Sequence, residues 1–149
     1  MFAAVLILFP GAAASEDQDK AGVSFGELRP DSKVSADMLC GLGLLMFVQE
    51  VVAQCEMPKL PIDHARERAI QRIEDFVVTN SSQHPKSSVF VEMRRAIGDG
   101  FRKSPDHRAC NDPGFEKWFR GGNAAELDAS VEKMLTSPFD PNQNVPCGP

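Results

Sequence analysis

The chain has 149 residues, 42% hydrophobic and 25% charged, a balance that fits one globular domain with its own core. The formal net charge is −5, and every charged side chain lies beyond Gly11. Such an acidic chain argues against binding that depends on clustered Lys and Arg, whether to nucleic-acid phosphates or to anionic lipid.

The opening residues, MFAAVLILFPGAAAS, predict a signal peptide over 1–14. Ala3 to Phe9 form a short apolar segment, Pro10-Gly11 breaks a helix, and Ala12-Ala13-Ala14 supplies small residues before cleavage at Ser15. The competing reading is a buried N-terminal helix, since no Lys or Arg precedes Ala3. No Cys follows the cleavage point, so a lipid anchor is not indicated. Export places the protein in the periplasm of a bacterium or outside another cell. Cys40, Cys55, Cys110 and Cys147 are an even set, which in an exported chain reads as two disulfides.

Residues 15–34 are polar and charged, with Gly22, Gly26 and Pro30, and read as a flexible arm before a helical, disulfide-linked domain over 35–149. Ser35 is a candidate N-cap for a first helix running to about Cys55. Its apolar run, Met38 to Val48, is shorter than the roughly 20 residues of a bilayer-spanning helix. Glu50 and Gln54 share a face at i, i+4, so the segment is expected as a central core helix with one polar stripe and no membrane span after signal cleavage. Gly41 and Gly43 cost helix propensity and imply a close backbone neighbour.

Pro58 and Pro61 turn the chain, and Asp63 is expected to cap a second helix with Ala69, Ile73, Phe76 and Val77 inward. Asn80 is expected to end it in a left-handed conformation. A third helix puts Phe90, Met93, Ile97 and Phe101 on one face. Asp112-Pro113 opens a short helix, GFEKWFR, closed by Gly121-Gly122. Asn123 with Glu126 starts a fifth, whose apolar face is Leu127, Val131, Met134 and Leu135. The tail SPFDPNQNVPCGP must run extended. The fold class is therefore all-α: a small bundle of about five helices around the apolar one, with two disulfides and an extended C-terminal tail.

A continuous helix would hold Cys40 and Cys55 about 22 Å apart, against the ~7 Å limit for a disulfide. That leaves 40–110 with 55–147, or 40–147 with 55–110. The second is favoured, because it clamps the second and third helices onto the end of the first and ties the tail to the other end.

Candidate chemistry is sparse. His64 and His107 each follow an Asp, but chain neighbours rarely face each other, and His84 precedes Pro85 in a polar loop. Solvated or capping histidines explain all three. His107-x-x-Cys110 with Cys55 and His64 makes a weak zinc pattern, lacking C-x-x-C and H-x-x-x-H, so neither metal nor cofactor is expected. No nucleophile-elbow, Walker or dinucleotide motif occurs. Phe115, Trp118 and Phe119 recur at i, i+3, i+4, with Lys117 and Arg120 beside the only Trp. They form either a buried aromatic face or a protein-binding hot spot, in which Phe115, Trp118 and Arg120 are the candidate binding residues. Arg66, Arg68, Arg72, Arg94 and Arg95 alternate with acids and read as a solvated face. Asn80-Ser81-Ser82 fits the glycosylation pattern, relevant only in a eukaryotic source.

The order Cys40, apolar helix, Cys55-Glu56-Met57-Pro58, amphipathic helix, His84-Pro85 loop, helix, Cys110 resembles the Rap/Tai-type periplasmic immunity proteins over about residues 38–110. Those are helical proteins that neutralise peptidoglycan amidases delivered by type VI secretion. The family's G-Y-I-x-G stretch after its first cysteine is replaced here by GLGLLMF, the tail beyond Cys110 has no counterpart, and no functional residue is carried over. The resemblance implies an exported, non-enzymatic protein that binds another protein. The alternatives are a small secreted hydrolase with His84 or His107 as general base, and a periplasmic stress chaperone.

Overall fold

The structure is a computed structural model that describes residues 28–31, 33–103 and 108–137. The expected signal peptide, most of the arm, His107 and the tail with Cys147 lie outside the described residues.

Every secondary-structure element among the described residues is helical: α1 (Ala36–Gln54), α2 (Pro61–Asn80), α3 (Ser88–Lys103), α4 (Arg108–Asn111), α5 (Pro113–Phe115), which continues as a π-helical turn (Glu116–Arg120), and α6 (Ala124–Thr136). The all-α expectation holds. The sequence reading missed α4, four residues with no room for an amphipathic pattern.

Helix α1 starts where expected. Ser35 accepts a hydrogen bond from the Met38 N–H at 3.1 Å, satisfying one of the first turn's orphan donors. The helix outruns its apolar core and, at 19 residues with mean hydropathy 1.6, is long and apolar enough to cross a membrane by length and composition. In the fold it is the central helix, packed between α2 and α3, with Leu42, Met46 and Val51 fully buried. Its polar stripe falls on α3, where the Gln54 amide donates to the Gly98 carbonyl at 3.1 Å and to Glu50 at 3.3 Å.

That contact corrects the reading of the glycines. A Cβ on Gly43 would meet nothing within 4 Å, and one on Gly41 only the end of Met134. The glycine that permits a close approach is Gly98 of α3, where a Cβ would stand 2.8 Å from Glu50 Oε2.

Two further corrections concern helix ends. Asp63 is not the N-cap of α2. Leu60 takes that place, Pro61 is the first helical residue, and Asp63 reaches back from the first turn to accept from the Leu60 N–H at 2.8 Å. Asn80 does not adopt a left-handed conformation; its side-chain amide donates to the Phe76 carbonyl at 2.9 Å, and Ser81 ends the helix extended. The positive-φ residues are instead Glu56, which closes α1, and His84.

Arg68 pairs with Asp128 at 2.8 Å, and Arg72 pairs with Glu132. These pairs make α6 parallel to α2 and antiparallel to α1. The main core joins α1, α2, α3 and α6 around Leu42, Met46, Ile73 and Phe90. A smaller one joins Val48, Val51 and Val52 to Phe101 and Phe115. Beside the second, Cys55 is bonded to Cys110, with Cα atoms 5.3 Å apart. The bridge closes a separation of 55 residues, worth about 4 kcal/mol in the chain-entropy model. Its expected companion lies outside the described residues, because Cys147 does. Within the stretch read as a flexible arm, Leu28 and Val34 are buried and belong to the main core.

Candidate functional site

The aromatic stretch after Asp112 divides between core and surface. Asp112 caps α5 by accepting from the Gly114 N–H at 2.7 Å. The chain then widens into the π-helical turn and closes at Gly121, where a Cβ would stand 2.6 Å from the Lys117 carbonyl oxygen. Only glycine lets the backbone turn there.

Residues two apart on a helical turn point to opposite sides, and this separates Trp118 from Arg120. Trp118 is 78% exposed, while Arg120 is 4% exposed. Phe115 is buried, packed against Phe119 with ring centroids 5.3 Å apart, and Phe119 is exposed along one edge. Of the three expected binding residues, Phe115, Trp118 and Arg120, only Trp118 faces solvent.

Arg120 anchors the turn. Its Nη2 donates to Asp63 at 2.8 Å and to the Pro58 carbonyl at 2.5 Å, and its Nη1 donates to Glu116 at 2.8 Å. Its Nε lacks a hydrogen-bond partner. Asp63 also accepts from Arg66 at 2.5 Å, and Arg66 donates onward to the Phe119 carbonyl at 2.6 Å. Asp63 and Arg66 are themselves buried, so the reading of Arg66 as a solvated residue is corrected. Burial pushes the Asp63 carboxyl up, but the hydrogen bonds from Arg120, the Leu60 N–H and Arg66 outweigh it and hold the pKa at about 2. Three buried charges thus fix the backbone from which Trp118 projects.

Trp118 and Phe119 close one end of a groove of about 240 Å³. One wall is α1, through Leu44, Leu45 and Val48, and the other is the first half of α6, through Glu126, Leu127 and Ser130. Ile62 and Arg66 of α2 complete its lining. Leu44 is half exposed, although it sits inside the apolar run expected to be mostly buried. A helix apolar on every side leaves one face outward when its neighbours cover the others, and here that face meets an exposed Trp.

A second cavity, of about 270 Å³, lies on the other side of Arg66. Lys59 and Glu67 form an ion pair at 2.5 Å on its lining, which carries no Ser, Thr or Cys among the described residues. His64 stands 3.5 Å from Glu67 on open surface, and His84 sits exposed in the α2–α3 loop, its N–H donating to the Ser81 carbonyl. Among the described residues no three His, Cys, Asp or Glu side chains are placed to hold a metal ion.

Sequence reasoning missed the Asp63–Arg66–Arg120 network and Leu44. The available signal was the i, i+3 spacing of Asp63 and Arg66 just inside a helix start. Nothing in the sequence tied either to Arg120, more than fifty positions on. No family model, curated protein or solved structure matches the chain.

Proposed function

We propose that this is an exported, non-enzymatic binding protein that engages another protein through the groove between α1 and α6. The observation that carries the reading is Trp118, 78% exposed at the mouth of an apolar groove and mounted on a turn that buried charges hold in place. Trp is enriched among residues that dominate interface energies, and a rigid mounting lowers the entropy cost of using it. The Cys55–Cys110 bridge supports export, since such bonds persist in oxidising compartments. With those two joined, the remaining pair, Cys40 and Cys147, forms the second bridge. In its sharpest version the partner is a cell-wall amidase effector, which the likeness of spacing to the Rap/Tai-type immunity proteins favours. The reading includes no membrane span, nucleic acid or cofactor.

The test is affinity capture by the oxidised chain from Ser15, against cell-envelope and secreted extracts, with Trp118→Ala in parallel. Trp118 is so exposed that its truncation spares the fold. Support would be a stoichiometric protein partner that survives salt washing and binds the variant about 30-fold more weakly. A partner held equally by both proteins, or none across several growth conditions, would sink the reading.

A further inference from the structure

The charges along the groove do not balance. Among its described lining residues only Arg66 and Glu126 are ionic. Arg66 is buried, and Asp63 meets its charge. Glu126 is exposed, and among the described residues nothing pairs with it. The other acids of α6 are engaged, Asp128 with Arg68 and Glu132 with Arg72. Glu126 lies in the first turn of α6, where the helix dipole favours an acid. The cap itself is Asn123, which accepts from the Ala125 N–H at 2.8 Å, so the Glu126 carboxylate is left without a donor.

That carboxylate stands at the Trp118 end of the groove. Only Gly121, Gly122 and Asn123 separate the π-helical turn from α6, and Glu126 belongs to the first turn after them. Trp118 already attracts a cation: Lys117 Nζ lies 5.9 Å from the centre of its ring, within cation–π range. Lys117 does not line the groove, so this contact leaves Glu126 unanswered. Away from Trp118 the α1 wall is apolar, through Leu44, Leu45 and Val48. At about 240 Å³ the groove is smaller than the roughly 300–1,000 Å³ of pockets that enclose a small ligand, and suits a few side chains of a larger partner.

We infer that the groove takes a basic segment of a partner protein: an arginine whose guanidinium stacks on Trp118 and pairs with Glu126, beside an apolar side chain that packs on Leu44, Leu45 and Val48. Arginine fits better than lysine, because a planar guanidinium can lie on an aromatic face while its edge donates to a carboxylate. The chain's net charge of −5 draws the same kind of segment from a distance. The inference rests on the groove being a docking face and adds what a partner must present to it.

The experiment uses the full oxidised chain from Ser15 and two capped dipeptide probes, acetyl-leucyl-arginine amide and acetyl-leucyl-citrulline amide. Citrulline keeps the shape of arginine without its charge. Binding is read by NMR, from shifts of the Trp118 indole N–H and of the Leu44 and Leu45 methyls. The arginine probe should bind about fivefold more tightly than the citrulline probe, as an exposed cation–π contact and a surface ion pair together provide. Glu126→Gln, an exposed change that leaves the Asn123 cap in place, should cut that preference to about twofold. Asp128→Asn removes the same charge from α6 outside the groove and should keep the preference intact. Equal binding of the two probes would overturn the inference and leave the groove as a docking face. So would a preference that survives Glu126→Gln, or one that Asp128→Asn reduces equally, since the selectivity would then come from the overall acidic field. No shift at Trp118 with either probe would overturn it as well. The binding reading is judged separately, by capture with Trp118→Ala, so the two can fail independently.

Discussion

The two ends of α1 are each organised by one aspartate, in opposite ways. At the C-terminal end, Asp63 is buried and paired with two arginines, Arg66 at 2.5 Å and Arg120 at 2.8 Å. At the N-terminal end, Asp31 is only partly buried and has neutral donors. It accepts from the N–H groups of Lys33, Val34 and Ser82 at 2.9, 2.9 and 2.8 Å, and from the hydroxyls of Ser81 and Ser82 at 3.0 and 3.1 Å. Burial acts to raise the Asp31 carboxyl, but those hydrogen bonds hold it far below the usual carboxylate range. Both aspartates join the two ends of α2 to distant chain. Only the Asp63 end takes charges out of water to do so, and that end carries the exposed Trp. The difference teaches that expensive buried pairing is placed where a surface turn has to be held, and cheap local hydrogen bonding where a chain end merely has to be tied down.

The largest effect should come from splitting the buried network. Arg120→Met leaves Asp63 short of a counter-ion and Pro58 of a donor, and should cost about 3–5 kcal/mol in urea unfolding at neutral pH. A triple replacement of Asp63, Arg66 and Arg120 by apolar residues should recover much of that loss while loosening Trp118, seen as a higher-amplitude indole motion in NMR relaxation. A loss below about 1 kcal/mol for Arg120→Met would make the two ends energetically alike and remove the contrast.

The matching change at the other end is Asp31→Ala. It strands several donors, but water reaches them, so the expected loss is about 2 kcal/mol, measured the same way. The core beyond Val34 should remain intact, and Trp118 quenching should not change.

Acid sharpens the contrast. Both carboxyls have folded pKa values below their unfolded ones, so their stabilisation is fully present above the unfolded value and is lost as pH falls toward the folded value. For Asp63 the window runs from about pH 4 down to about 2, and the loss approaches ~2 kcal/mol. The Asp31 loss begins at the same unfolded value and continues to lower pH, because its folded pKa is held lower still. Asp63→Asn and Asp31→Asn should therefore each flatten a stability–pH curve below about pH 4, with the effect of Asp31→Asn reaching further into acid. A curve unchanged by either substitution would place the acid sensitivity elsewhere.

How far the sequence disclosed this arrangement depends on the range of the interactions. Helical class, the Ser35 and Asn123 caps and the Asp112-Pro113 start rest on contacts within four residues, and the local pattern carried them. Helix rise excluded Cys40 from reaching Cys55 and left two pairings; Cys55–Cys110, the one found, was favoured because it clamps α2 and α3 onto the end of α1. The candidate site was legible only as an aromatic cluster. Its division into inward Phe115 and Arg120 and outward Trp118 follows from a π-helical turn, which no periodicity announces. Arg66 was misread because a basic residue among acids on a helix is ordinarily solvated, and its partners are the backbone of residue 119 and a carboxylate shared with Arg120.

The smallest effects test whether the crowding at the Cys55 end extends to α3. Gly98 lies against Gln54, one residue from Cys55, while Gly43 lies nearer the looser end with open space beyond it. Alanine at either site gains about 0.5–1 kcal/mol of helix propensity. At Gly43 that gain should appear as raised stability. At Gly98 a Cβ would stand 2.8 Å from Glu50 Oε2 and 3.1 Å from Gln54 Nε2. Both are ends of flexible side chains and can move, but moving them breaks the Gln54 bond to the Gly98 carbonyl and leaves that amide to find another partner. The loss should outweigh the propensity gain by about 1 kcal/mol, so the two substitutions should shift the urea midpoint in opposite directions. Equal stabilisation by both would mean that α1 is packed no more tightly at its Cys55 end than in its middle, and that the tightness around Asp63 is confined to the charges themselves.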